Sequence, residues 1–216
     1  MKQEIKSFYR KDLPHYQPPH DTIFFITTRL DGSLPKHKIE ELKKAREKEI
    51  QIIQSSTCSH EEKLKQVDNA HKRFFGKYDL ILDNLTTGNH WLKIHPVAEI
   101  VAESLMHFDG QRYDLICYTI MSNHIHVVFE LKKEFALYGL LQSIKSFSAK
   151  KANELLDRTG QFWQHESYDR VVRDNNELSK VVNYVLNNPV KAGLCKNWQD
   201  WKHSFVSNKY QDYTQP

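Results

Sequence analysis

Residues 113–131 read YDLICYTIM, then Ser122-Asn123, then HIHVVFEL. Two runs rich in β-branched and aromatic residues, parted by a two-residue break, predict an antiparallel hairpin with strands over 113–121 and 124–131. Side chains alternate along a strand, so His124 and His126 share one face while Ile125, Val127 and Phe129 take the other. Two imidazoles rooted about 7 Å apart on one strand face can converge on one metal ion. An isolated His-x-His is more often a pair of surface or core histidines, so its surroundings decide.

Upstream, residues 23–30 (IFFITTRL), followed by Asp31-Gly32-Ser33, predict the first strand. Residues 35–76 are charged and helix-forming, with Ser59-x-x-Glu62 in capping-box form before a second run ending near Gly76. They predict an inserted helical hairpin whose charges read as a solvated face. Val97, Ile100, Val101, Ser104 and Leu105 recur at helical spacing behind Pro96.

Downstream, residues 135–157 are helical, with Leu137, Leu140, Leu141, Ile144 and Phe147 marking the buried side and Ser148 at its edge. Residues 162–173 (FWQHESYDRVVR) read as the fourth strand. Asp174-x-x-Glu177 caps a last helix with an apolar stripe of Leu178, Val181, Val182 and Val185, which Pro189 stops. The segment up to Asp21 reads as an irregular arm. The tail with Trp198, Trp201 and Phe205 is expected to pack on the body. Leaving the insertion aside, the order is β-α-β-β-α-β and a final helix. That is an α+β fold, ferredoxin-like or RRM-like: an antiparallel sheet with two helices on one face.

Composition bounds the function. Of 216 residues, 39% are hydrophobic and 27% charged, as in ordinary globular domains. No apolar run reaches the roughly 20 residues of a membrane helix, and the N-terminus has no signal-like apolar core. Thirty-one basic against 27 acidic residues give +4, which permits nucleic-acid binding without requiring it. Cys58, Cys117 and Cys195 form no C-x-x-C, so neither a disulfide framework nor a zinc knuckle is supported, and a reducing cytoplasm is expected.

Tyr184 and Asn188 stand four apart on the last helix, stacked on one side at the flank of the apolar stripe. Alone, such a tyrosine is a packing residue, and Asn before Pro commonly closes a helix.

Together these segments resemble a known family. Leu115 to Phe129, with Met121-Ser-Asn-His124-Ile-His126, is similar to the strand-turn-strand of the HUH single-tyrosine transposases. Phe162-Trp163-Gln164 with residues 168–174 (YDRVVRD) resembles the stretch before that family's last helix. Tyr184-Val-Leu-Asn-Asn188-Pro189-Val190-Lys191-Ala-Gly193-Leu194 resembles the catalytic helix of the REP-associated tyrosine transposases, within the insertion-sequence-200-like group. The match covers residues 23–30 and about 113–195. It departs at Ser122, where proline is usual, and at the 35–76 insertion.

The resemblance implies a single HUH transposase-like domain over 1–216 whose last helix is catalytic. It implies a transposase that cleaves and rejoins single-stranded DNA through a 5′-phosphotyrosine, at hairpin or REP-like elements. His124, His126 and Asn188 would hold Mg²⁺ or Mn²⁺, and Tyr184 would be the nucleophile, in preference to Tyr168. Lys145, Lys150, Lys151, Arg170, Arg173 and Lys191 are candidate phosphate contacts, with Phe162 and Trp163 as base-stacking rings. Expected partners are single-stranded or hairpin DNA and no membrane, in the cytoplasm and on the nucleoid when DNA-bound. Monomer and dimer both remain open. Two rival readings are a domesticated, non-catalytic nucleic-acid-binding protein of the same fold, and an RNA-recognition module. The latter lacks its usual aromatic motif on the inner strands.

Overall fold

The computed structural model describes residues 6–10, 13–17 and 22–214, the first two stretches by backbone alone. Those two stretches, β1 (Lys6–Arg10) and β2 (Leu13–Gln17), pair antiparallel where an irregular arm was expected. The rest of that arm lies outside the described residues. The chain forms two compact units, one of residues 32–88 and one of the remainder.

The larger unit is built on an antiparallel sheet of β3 (Thr22–Arg29), β4 (Tyr113–Ile120), β5 (His124–Leu131), β6 (Tyr168–Val172) and β7 (Ser204–Val206). The strand order is β6-β3-β5-β4-β7. The first four have the ferredoxin-like arrangement, and the tail supplies β7 at the free edge of β4, covering part of it. Ser122-Asn123 forms the expected tight turn, with Met121 N–H donating to the His124 carbonyl at 2.8–2.9 Å, as does Leu30 N–H to that of Asn123.

Alternation decides the two faces. Phe24 and Ile26 of β3 and Ile125, Val127 and Phe129 of β5 join one core with α3 (His95–Met106) and α4 (Leu137–Leu155). Phe129 is fully buried, its ring 4.9 Å from that of Tyr113. Burial of a ring of this size contributes about 2–3 kcal/mol. A bulge between Leu115 and Cys117 inserts one residue into β4, so the inward positions change phase from Leu115 to Tyr118 and Ile120. The opposite face carries α5 (Asn175–Lys191), which buries Leu178, Val181, Val182, Val185 and Leu186.

Three boundaries and one buried face differ from expectation, each for a physical reason. The last helix does not stop at Pro189 but runs through it to Lys191. Proline forgoes its own N–H here, and the helix closes in a Schellman motif. Leu194 N–H donates to the Pro189 carbonyl and Gly193 N–H to that of Val190, both at 2.9 Å. Gly193 sits at φ +70°. Gly193→Ala forces a β-carbon into that left-handed conformation and should cost about 1–2 kcal/mol, read as a lower urea midpoint; an unchanged midpoint would contradict this cap.

On α4 the buried row is Leu140, Ile144, Ser148 and Ala152, while Phe147 is 50% exposed. Ser148 is buried because its hydroxyl accepts from the Trp163 indole at 2.9 Å. The fourth strand is only β6, not 162–173. Before it, Trp163 makes a single bridge to Leu30, and the Gln164 and His165 carbonyls are taken by the Lys145 ammonium.

The smaller unit pairs α1 (Lys36–Ser55) with α2 (His60–Asn84), α2 opening on the Ser59–Glu62 capping box. It continues past Gly76 because Phe74, Tyr78 and Leu82 keep an i, i+4 row, and all three are buried. Leu34, Tyr78 and Leu82, with Ile39, Leu42, Ile81 and Leu85, form its core.

Candidate active site

His126 lies mid-strand in β5, where register sets Thr27 of β3 on one side and Thr119 of β4 on the other. The three share the sheet face that α5 covers. His126 Nδ1 is 2.7 Å from Thr27 Oγ1, and His124 Nδ1 is 2.7 Å from Asn123 Oδ1. With Asn123 Oδ1 accepting, His124 carries its proton on Nδ1 and keeps a lone pair on Nε2. Thr27 can accept from His126 Nδ1 in the same way. This is how outer partners orient metal-binding imidazoles.

The two Nε2 atoms face each other at 3.1 Å. Asn188, on α5, brings its side-chain amide to 3.0 Å from His126 Nε2. Turning the amide over presents its oxygen at the same place. An octahedral ion with bonds of about 2.1 Å sets neighbouring donors about 3.0 Å apart. The donor set therefore fits one six-coordinate cation, with imidazole favouring Mn²⁺ over Mg²⁺. His124, His126 and Asn188 are all fully buried.

Tyr184, one helical turn before Asn188, is half-buried beside them. Its ring stands edge-on, 5.7 Å from the His126 ring and 6.0 Å from that of Phe25. The Lys191 ammonium is 5.7 Å from its centroid. Tyr168 is placed differently. It is 4% exposed in β6 and pairs across the strands with Thr27. That puts its backbone two strand spacings, about 9–10 Å, from His126.

The candidate DNA contacts separate. Lys150, Lys151, Arg173 and Lys191 are exposed, Lys151 within 3.4 Å of Glu154. Arg170 is engaged by Glu177 of α5. Phe162 and Trp163 do not offer stacking faces: they are 1% and 5% exposed, and Phe162 is stacked on Trp91 at 5.4 Å.

Lys145 is not a surface cation either. Its ammonium donates to the Gln164 and His165 carbonyls at 2.6 and 2.9 Å and to Ser167 Oγ at 3.3 Å. Burial, then the Arg29 cation, push its pKa down to about 8, against a smaller opposing effect of Glu166. Between that value and about 10.5 the unfolded chain binds a proton that the folded chain has released. Lys145 thus makes stability rise with pH across this window. Lys145→Met should flatten that part of the stability–pH curve, and an unaltered slope would refute the assignment.

Sequence reasoning missed Thr27, Asn123 and Thr119. Asn123 had a signal, being the turn residue directly before His124. The threonines needed the strand register.

Residues 94–188 match the family model described as "Transposase IS200 like". The chain resembles the IS200-like transposases. That stretch runs from the start of α3 to Asn188, so it holds His124, His126, Tyr184 and Asn188 and excludes α1 and α2. A putative REP-associated tyrosine transposase of Haemophilus influenzae is 24% identical over 102 residues, which are 43% of this chain and 58% of that relative. A solved structure of a REP-associated tyrosine transposase bound to a REP hairpin shares the fold. Its TM-score is 0.50 at 14% identity, over 92% of this chain and 82% of that one. Among the described residues, no helix is long and apolar enough to cross a membrane.

Proposed function

We propose that this chain is a metal-dependent transesterase of single-stranded DNA, acting at hairpin elements through Tyr184. The observation that carries this reading is the convergence of His124 Nε2, His126 Nε2 and the Asn188 amide within 3.1 Å steps, with the Tyr184 ring against His126. His124, His126 and Asn188 would hold Mg²⁺ or Mn²⁺, which polarises the scissile phosphate when bound.

The Tyr184 phenol releases its proton to solvent as its oxygen attacks phosphorus. The phosphorus–3′-oxygen bond breaks, and the leaving oxygen takes up a proton as a 3′-hydroxyl. The product is a 5′-phosphotyrosine, whose ester bond conserves the energy of the original linkage. A second 3′-hydroxyl can therefore reverse the step and join strands without an external energy source. Because the three donors are buried, a phosphate reaches them only after local opening. Lys150, Arg173 and Lys191 remain candidate backbone contacts.

The partner class is inferred from the relative solved with a REP hairpin, and binding tests it. Fluorescence anisotropy should show tighter binding to a hairpin with single-stranded flanks than to perfect duplex. Log K should fall linearly with log salt, by about 0.7 per single-strand phosphate contacted. Preference for perfect duplex, or no salt slope, would contradict the proposal.

A further inference from the structure

A second histidine pair lies away from His124 and His126. His95 opens α3, and His203 immediately precedes β7. His95 Nδ1 and His203 Nε2 are 3.1 Å apart. On the other side of the His95 ring, Glu99 Oε1 lies 2.8 Å from Nε2, one turn along the same helix. We infer that His95 and His203 form a binding site for a zinc-class transition-metal cation, with Glu99 as its outer carboxylate.

The chemistry follows from the two sides of one ring. Glu99 Oε1 and the Lys202 ammonium both reach His95 Nε2; the tautomer in which Glu99 accepts the proton there leaves the Nδ1 lone pair aimed at His203. This is the carboxylate–histidine–metal arrangement that raises ligand basicity and fixes the tautomer. Two zinc–nitrogen bonds of about 2.0–2.1 Å at the tetrahedral angle place their nitrogens about 3.3–3.4 Å apart. The pair needs to open by only a few tenths of an ångström. The side chains of His95 and Glu99 are 42% and 50% exposed, so water can fill the remaining positions.

Opposing charge narrows the choice of ion. Lys202 lies 3.6 Å from Glu99 and close to His95 Nε2, and the positive end of α3 adds to it. A hard cation held by charge alone is disfavoured here. A borderline cation that bonds to imidazole is not.

The site would fasten the C-terminal strand to α3. The His203 carbonyl accepts from Ile120 N–H at 2.9 Å, and Ser204 Oγ is 2.7 Å from Thr119 Oγ1. Thr119 is the cross-strand neighbour of His126. A cation at His95 and His203 would therefore brace β4 beside the proposed active site. The inference does not depend on that site's function.

The test uses the full chain carrying His124→Ala and His126→Ala, which silences the first pair. Zn²⁺ should raise the melting temperature by several degrees, Co²⁺ should give visible bands of tetrahedral cobalt, and Mg²⁺ should do neither. Adding His203→Ala should abolish both signals, whereas a Zn²⁺ shift that survives it would overturn the inference. A wild-type background gives an independent reading if the double variant folds poorly. There, His203→Ala should lower the Zn²⁺ bound at equilibrium dialysis by one equivalent, and unchanged stoichiometry would equally refute the site.

Discussion

Tyr184→Phe should abolish the covalent protein–DNA adduct, with strand cleavage falling roughly a thousandfold or more, as when a nucleophile is deleted. The substitution removes one oxygen. It keeps the ring that stands 5.7 Å from His126 and 6.0 Å from Phe25, so folding, DNA binding and metal binding should persist. Tyr168→Phe should retain the adduct. Its ring packs edge-on at 6.3 Å from Phe25, on a strand two spacings from His126. A denaturing gel with labelled single-stranded substrate and Mn²⁺ reads both variants. An adduct that persists in Tyr184→Phe and vanishes in Tyr168→Phe would move the chemistry to β6.

The second large effect concerns His126. Its Nε2 stands within 3.1 Å of both His124 Nε2 and the Asn188 amide, so it is the donor common to the whole set. His126→Ala should eliminate metal-dependent cleavage and remove the stabilisation by Mn²⁺. For the wild type, that stabilisation reaches about 2.7 kcal/mol at a hundred times the dissociation constant. The ring is fully buried and stacked on Phe25 at 5.6 Å, so the variant should also lose roughly 2–4 kcal/mol without any metal, as for other buried truncations. The two losses separate by titration: the cavity lowers the melting temperature at every Mn²⁺ concentration, while loss of the site flattens its dependence on Mn²⁺. His124→Ala should flatten the same dependence. Wild-type Mn²⁺ stabilisation in both variants would remove the metal assignment.

What the sequence made legible was local. The alternation of 113–131 specified β4, the turn and β5 closely, since a buried face tolerates no register slip. It thereby set His124 and His126 on one face. The i, i+4 pair on the last helix likewise set Tyr184 above Asn188. What could not be read was long-range. That Thr27 orients His126 depends on β3 pairing with β5 across a sequence separation of 99. The roles of Lys145, Phe162 and Trp163 depended on which loop each meets. A lysine near a basic patch reads as a phosphate contact until three oxygen acceptors close on it. Pro189 read as a stop because the cap that rescues it, Gly193, lies beyond it in the chain.

The proposed mechanism bonds the Tyr184 oxygen, and no other, to DNA. Its direct measurement is mass spectrometry of the trapped adduct after trypsin and nuclease digestion. Cleavage after Lys180 and Lys191 releases residues 181–191, which contain Tyr184 and no other tyrosine, and cleavage after Arg158 and Arg170 releases residues 159–170 with Tyr168. Attack by Tyr184 predicts the 5′-phosphonucleotide mass on residues 181–191 and unmodified residues 159–170. The nucleotide on residues 159–170, with residues 181–191 unmodified, would contradict it.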